Sequence, residues 1–297
     1  MEFKDIGAVN AATAATAGSL WEYLTKGKGP LVSASYDAHL LMRTGLNDDL
    51  GTFPDIQVGL FVGVADEGSL QNLNFTDFEA MGIDKHDLGA AAQGFTVLPT
   101  LLHPRSRGRI SLKSANPFDP PEIEPNYLAD ERDVKTLIAG CKHASKLVTD
   151  TKALSQIAAY APAHPQLHPH VDAGTNIIED DVILEEMVRG MAATLYHPIG
   201  TCSIGSVVDP SLCVKGIRRL RVIDASVMPH LPSANTNAPT IMIGEKGADM
   251  IVAAHNLHQT IETKRAARGY GLQGIFLLAA VVIGMLAVCW RAWMHGT

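Results

Sequence analysis

Apolar positions in the segment DERDVKTLIAGCKHASKLVTD, residues 130–150, fall at Val134, Leu137, Ile138, Cys141, Ala144 and Leu147. A recurrence every three or four residues predicts an amphipathic helix, and the acids at its start suit the positive end of the helix dipole. The same spacing predicts helices over 11–27, before the Gly/Pro break KGKGPL, and over 178–196, with acids early and Arg189 late. A further helix is expected after SANT: Asn237 is placed to cap it and Pro239 lies where a first-turn proline is tolerated. Such a helix start presents N–H groups with no partner inside the helix, a setting for an anion.

Other stretches follow a shorter period. Residues 55–64 (DIQVGLFVGV) and 94–102 (GFTVLPTLL) are β-rich and partly alternating, and GRISLKS (108–114) predicts a half-buried strand. LRVIDASVMP (220–229) is β-rich with one acid, Asp224, whereas SASYDAHLLMRTG (33–45) fits a short strand or a helix. Strands that follow one another without regular intervening helices favour an antiparallel or mixed sheet, hence an α+β fold.

From Gly271 to Trp290 the chain is apolar but for Gln273. Twenty residues at about 1.5 Å each span about 30 Å, the thickness of a bilayer core. This predicts a transmembrane helix over 271–291. Lys264, Arg265 and Arg268 before it outnumber Arg291 after it, which places the globular part on the cytoplasmic side of a membrane.

Composition narrows the function classes. The 297 residues carry a net charge of −7, which argues against a nucleic acid partner, since phosphate binding needs a basic face. The four cysteines, Cys141, Cys202, Cys213 and Cys289, form no CxxC pair, so neither a zinc knot nor a disulfide scaffold is expected. His164, His168 and His170 lie in the proline-rich stretch 161–170. No cysteine or carboxylate cluster completes a metal site there, so a surface loop is expected.

YHPIGTCSIG (196–205) sets a histidine before a proline in a glycine-bearing turn. Alone, it reads first as a packed helix-end histidine, with a proton acceptor as the alternative. With VDPSLCVKGIRRLRVIDASVMP and SANTNAPTIMIGEKGADMI it resembles the C-terminal part of the glucose–methanol–choline (GMC) family of FAD-dependent oxidoreductases. HPRSRGRISLKSANPFDPPEIEPNYLADERDVKTL resembles the same family's substrate domain. The likeness runs over about residues 20–255 and is nearest to choline and aliphatic alcohol dehydrogenases, in which HPxGTC and NTNAPTIMI occur together.

The resemblance implies hydride transfer from an alcohol carbon to flavin, with His197 as base and Asn235 holding the substrate oxygen. An imidazole titrates near neutral pH, which suits it to take and return a proton. It also implies FAD contacts at Tyr196, Asp224, Ala225, Thr236 and Asn237. Cys202 and Cys213 are expected to pack. The implied organisation is a partial middle region over 1–103, the family's C-terminal domain over 104–255, a basic linker over 256–270, then the span. An alcohol is the expected substrate, with a quinone among the candidate electron acceptors.

One family element is not in the sequence. No GxGxxG occurs before residue 269, and the one at 269–274 (GYGLQG) leads into the apolar run with no strand pattern before it, so the pyrophosphate-binding strand–turn–helix is expected on another part of a longer enzyme. Two alternatives stay open: a truncated, non-catalytic membrane-anchored binding module, and an enzyme acting on lipid-like fatty alcohols.

Overall fold

The computed structural model describes residues 16–32, 36–62, 95–152 and 178–255. A short helix, α1 (Ala17–Lys26), leads in; Thr16 accepts from the Ser19 N–H at its start, and Gly27 closes it at φ +60°. Strands β1 (Tyr36–Met42), β2 (Ile56–Val62) and β3 (Phe95–Leu101) form one antiparallel sheet in that order. The ambiguity at 33–45 thus resolves as a strand. A register shift between Tyr36 and Ala38 interrupts its pattern.

Pairing of Ile56 with Leu101 and of Val58 with Pro99 puts these residues on one face of the sheet. Helix α2 (Glu131–Asp150) covers that face: Ile56 and Val58 pack with Ala144 in a shared cluster. Gly140 permits this approach, since a Cβ there would lie 3.2 Å from both Ile56 and Pro99 side chains. An adjoining stripe of α2 uses Val134 and Ile138 to bury Leu184 and Val188 of α3 (Asp181–Met191). Leu184 is fully buried, and each such side chain contributes about 1.5–3 kcal/mol.

Helix α3 is shorter than the period suggested. It ends at Met191, and Ala192 turns to extended backbone, so the stretch up to Tyr196 is loop. The strand expected at 108–114 is β4 (Arg109–Ser111), paired with β5 (Glu122–Glu124). It is exposed rather than half-buried: Ile110 is 52% accessible because nothing in the described residues covers the hairpin. The β-rich stretch 220–229 is not a regular strand. Asp224 caps a 3-10 turn at Ala225–Val227, taking the chain out of an extended path.

The last described element is α4 (Asn237–Ala254). The transmembrane helix expected over 271–291 requires correction. No helix among the described residues is long and apolar enough to cross a membrane, and the stretch itself lies outside those residues. The single-pass, cytoplasmic-side placement rested on that span and is withdrawn with it. His164, His168 and His170 also lie outside the described residues; among those described, no cluster suited to a metal occurs.

Two buried aspartates tie loops to this scaffold. Asp55, 2% exposed, accepts from the Thr44 N–H at 2.8 Å, the Thr44 hydroxyl at 2.6 Å and Asn47 Nδ2 at 2.9 Å. Asn47 Nδ2 also donates to Thr136 Oγ1 of α2 at 3.0 Å. Burial pushes the Asp55 carboxyl up, but the hydrogen bonds from Asn47 and Thr44 outweigh it and hold it below the ordinary aspartate value. A depressed folded-state value stabilises above the unfolded value of about 3.9 and is lost as pH falls through the folded value. Stability measured by urea unfolding is therefore expected to drop below about pH 4, and less so in Asp55→Asn.

Candidate active site

The loop after α3 delivers His197. Tyr196, just before it, has φ +61°, a left-handed conformation that a side chain disfavours, and its N–H donates to Thr194 Oγ1 at 3.0 Å. Gly200 follows at φ +92°. Two backbone bonds then lock the loop: Cys202 N–H to Ser226 O at 3.0 Å and Ile204 N–H to Val227 O at 2.9 Å. Below them lies a core of Val208, Leu212, Val227, Met228 and Ile243, the last from α4. The 196–208 loop, the 224–228 turn and α4 therefore share one apolar base. Cys202 and Cys213 are both half-buried beside it.

The seating of α4 depends on Gly247. A Cβ there would lie 2.3 Å from Ile223 Cγ2 and 2.9 Å from its Cδ1. Gly247→Ala gains about 1 kcal/mol of helix propensity. It must also push a branched side chain out of a packed site, at a cost of about 1–3 kcal/mol. The expected net is a loss of about 1 kcal/mol, read as a lower urea midpoint at unchanged slope.

At the other end of α4, Thr236 occupies the cap position with αR backbone and no side-chain bond to the helix. Asn237, expected as the cap, is instead the first helical residue. The reason is chemical: the Thr236 hydroxyl pairs with His197 Nδ1 at 2.9 Å, across 39 residues. Thr236 itself is buried at 8% exposure. The other ring nitrogen, His197 Nε2, is buried with no hydrogen-bond partner among the described residues. One nitrogen is thus fixed, and the second has no such partner among the described residues.

The expected site residues separate into groups. His197 and Thr236 are in direct contact. Asn235 is exposed and adjoins Thr236, and Asn237 is exposed at the first turn of α4, which holds no acidic residue. Asp224 is exposed; its Oδ1 accepts the Ser226 N–H at 2.8 Å and the Ser226 hydroxyl at 2.5 Å. Ala225 is half-buried in the turn that Asp224 caps. Sequence reasoning expected Thr236 as a flavin contact and missed the pairing of its hydroxyl with His197. It also missed His103, whose Nε2 lies 2.9 Å from Ser233 Oγ, although LLHPRS and YHPIG share a His-Pro step.

Comparison with known proteins extends this geometry. Residues 104–244 match the GMC oxidoreductase family. An alcohol dehydrogenase [acceptor] from Pseudomonas putida is 42% identical over 65% of this chain and 34% of its own length. A glucose dehydrogenase [FAD, quinone] from Drosophila pseudoobscura pseudoobscura is 36% identical over 76% of this chain and 37% of its own. The chain thus spans about a third of the length of these relatives. Among solved structures, Aspergillus oryzae formate oxidase superposes with a TM-score of 0.62 at 24% identity, over 80% of this chain and 41% of that one, a likeness of fold. Taken with the family match, these relatives show that the chain carries the C-terminal domain of a GMC oxidoreductase.

Proposed function

We propose that this chain forms the substrate side of an FAD-dependent oxidoreductase that converts CH–OH donors to carbonyl products, with a primary aliphatic alcohol, choline included, as substrate. The carrying observation is the His197 imidazole, held at Nδ1 by Thr236 and bearing a buried Nε2 with no partner among the described residues. A relative named alcohol dehydrogenase supports the substrate class.

The residues present fit a flavin. A helix start without acids and with its cap hydroxyl engaged elsewhere leaves first-turn N–H groups for an electron-rich ring edge. Tyr196, Asp224, Ala225, Thr236 and Asn237 would hold it. When bound, FAD supplies the acceptor for the hydride that leaves the alcohol carbon.

The chain's own part is to handle the proton. For Nε2 to accept it, Nδ1 carries the ring hydrogen and donates to Thr236 Oγ1, fixing both tautomer and ring plane. Nε2 then takes the hydroxyl proton as the carbonyl forms, and Asn235 hydrogen-bonds the substrate oxygen. A quinone is the acceptor we propose for the electrons, in keeping with the Drosophila relative's name.

The test is anaerobic mixing of the native protein with a panel of primary alcohols, choline and glucose, following the flavin absorbance near the visible maximum. Bleaching by alcohols is the expected result. A bound flavin that none of them bleaches would overturn the substrate class, and a protein purified without flavin would overturn the flavoenzyme reading.

A further inference from the structure

We propose that His103 is a positioning residue for the His197 site, acting by tethering the segment that carries Asn235 and Thr236; this rests on the function proposed above. His103 Nε2 and Ser233 Oγ lie 2.9 Å apart, half-buried, and join positions 130 residues apart in the chain. The two sides of this bond differ in how firmly they are held.

The His103 side is clamped. It follows the end of β3, where the buried Leu102 donates its N–H to Asp55 O at 3.0 Å. Two residues later, the Arg105 N–H donates to buried Asp133 Oδ1 at 2.8 Å. Asp55 and Asp133 both belong to the scaffold of sheet and α2. His103 is therefore fixed from both flanks.

The Ser233 side has no regular structure. Residues 229–236 run between the 3-10 turn at Ala225–Val227 and α4, and include Pro229 and Pro232. Thr236, the partner of His197 Nδ1, lies three positions beyond Ser233. One end of this stretch is thus set by His103 and the other by α4. Removing the first support lets Asn235 and Thr236 drift relative to the imidazole, while the core packing of α4 survives. Burial holds the His103 ring below the ordinary histidine value; Asp55 opposes this and His230 adds to it. A neutral imidazole has one donor and one acceptor nitrogen, which suits it to pair with a hydroxyl.

The experiment compares His103→Ala, Ser233→Ala, the double variant and His103→Gln in the native protein. Two readouts are followed: steady-state kinetics with an alcohol, and amide hydrogen exchange over 229–240. Each alanine variant is expected to speed exchange in that segment about tenfold, with α2 unchanged. Each is expected to lower kcat about ten- to hundredfold with KM, flavin content and Tm held, as a misplacement of about 1 Å does. The double variant should lose no more than the worse single one, since both remove one bond. Glutamine, which keeps an amide nitrogen in reach of Ser233, should recover most of kcat.

Unchanged exchange in both alanine variants would overturn the tether. Faster exchange with unchanged kcat, or a loss that follows Tm, would overturn its positioning role. Failure of the underlying reading looks different: the unsubstituted protein itself would not turn over alcohols, whatever exchange shows.

Discussion

Replacing His197 with glutamine is expected to slow alcohol-dependent flavin reduction about 10²- to 10⁴-fold, the range that a positioned general base supplies. Glutamine approximates the ring's reach and can still hydrogen-bond Thr236 Oγ1, the present partner of Nδ1 at 2.9 Å. What it lacks is a nitrogen able to take a proton. Flavin content and Tm are expected to stay at the unsubstituted values, because Nε2 makes no bond among the described residues that substitution would break. Stopped-flow absorbance under anaerobic conditions reads the reduction step directly. If reduction proceeded at the original rate with full flavin content, His197 would have no part in proton transfer. A loss that followed flavin content instead would make the residue a cofactor support.

The largest expected stability effect lies elsewhere, at Asp133. It is 2% exposed, in the first turn of α2, and its carboxylate accepts three bonds. These come from the Arg105 N–H at 2.8 Å, the Ser106 N–H at 2.8 Å and the Ser106 hydroxyl at 2.6 Å. Asp133→Ala strands two backbone donors and one hydroxyl in a partly buried place. Each unsatisfied group costs about 1–3 kcal/mol, with some relief from water and rearrangement, so a total loss of about 3–5 kcal/mol is expected. Asp133→Asn keeps the shape but turns an amide donor toward donors, and should fall between. Urea midpoints at fixed pH decide it: a shift worth under about 1 kcal/mol in the alanine variant would show that water substitutes for the carboxylate.

Helix α2 was legible because its apolar spacing is long and unbroken, and that stripe packs against both the sheet and α3. Strands β2 and β3 were legible for the same kind of reason. Strand β1 was not: Leu40, Leu41 and Met42 are apolar in succession, and a register shift near Tyr36 breaks the alternation. The stretch around Asp224 misled, since Val222 and Ile223 carry β propensity while the next residue's side chain caps a turn. Hydropathy alone suggested a span, and no described helix meets that requirement.

Within the site, the motif carrying His197 was readable as a motif, but its geometry was not. The partner of Nδ1 stands 39 residues away, and only the folded chain reveals that the Thr236 hydroxyl pairs with the ring rather than with the helix. Asp133 was read as one of several acids favouring a helix start. Its burial depends on where residues 105 and 106 pass, a fact of tertiary structure.

The seating of α4 on Ile223 has a consequence for how solution conditions act on this site. Gly247 meets its neighbour through closely packed carbon, with neither charge nor proton in the contact. Such contacts are scarcely compressible and are indifferent to ionic strength and buffer. The axial placement of the helix, and with it the height of Thr236 beside the imidazole, should therefore hold constant across salt concentrations. Any salt sensitivity of turnover then belongs to the arrival of substrate or acceptor, and the alignment of the ring stands apart from it.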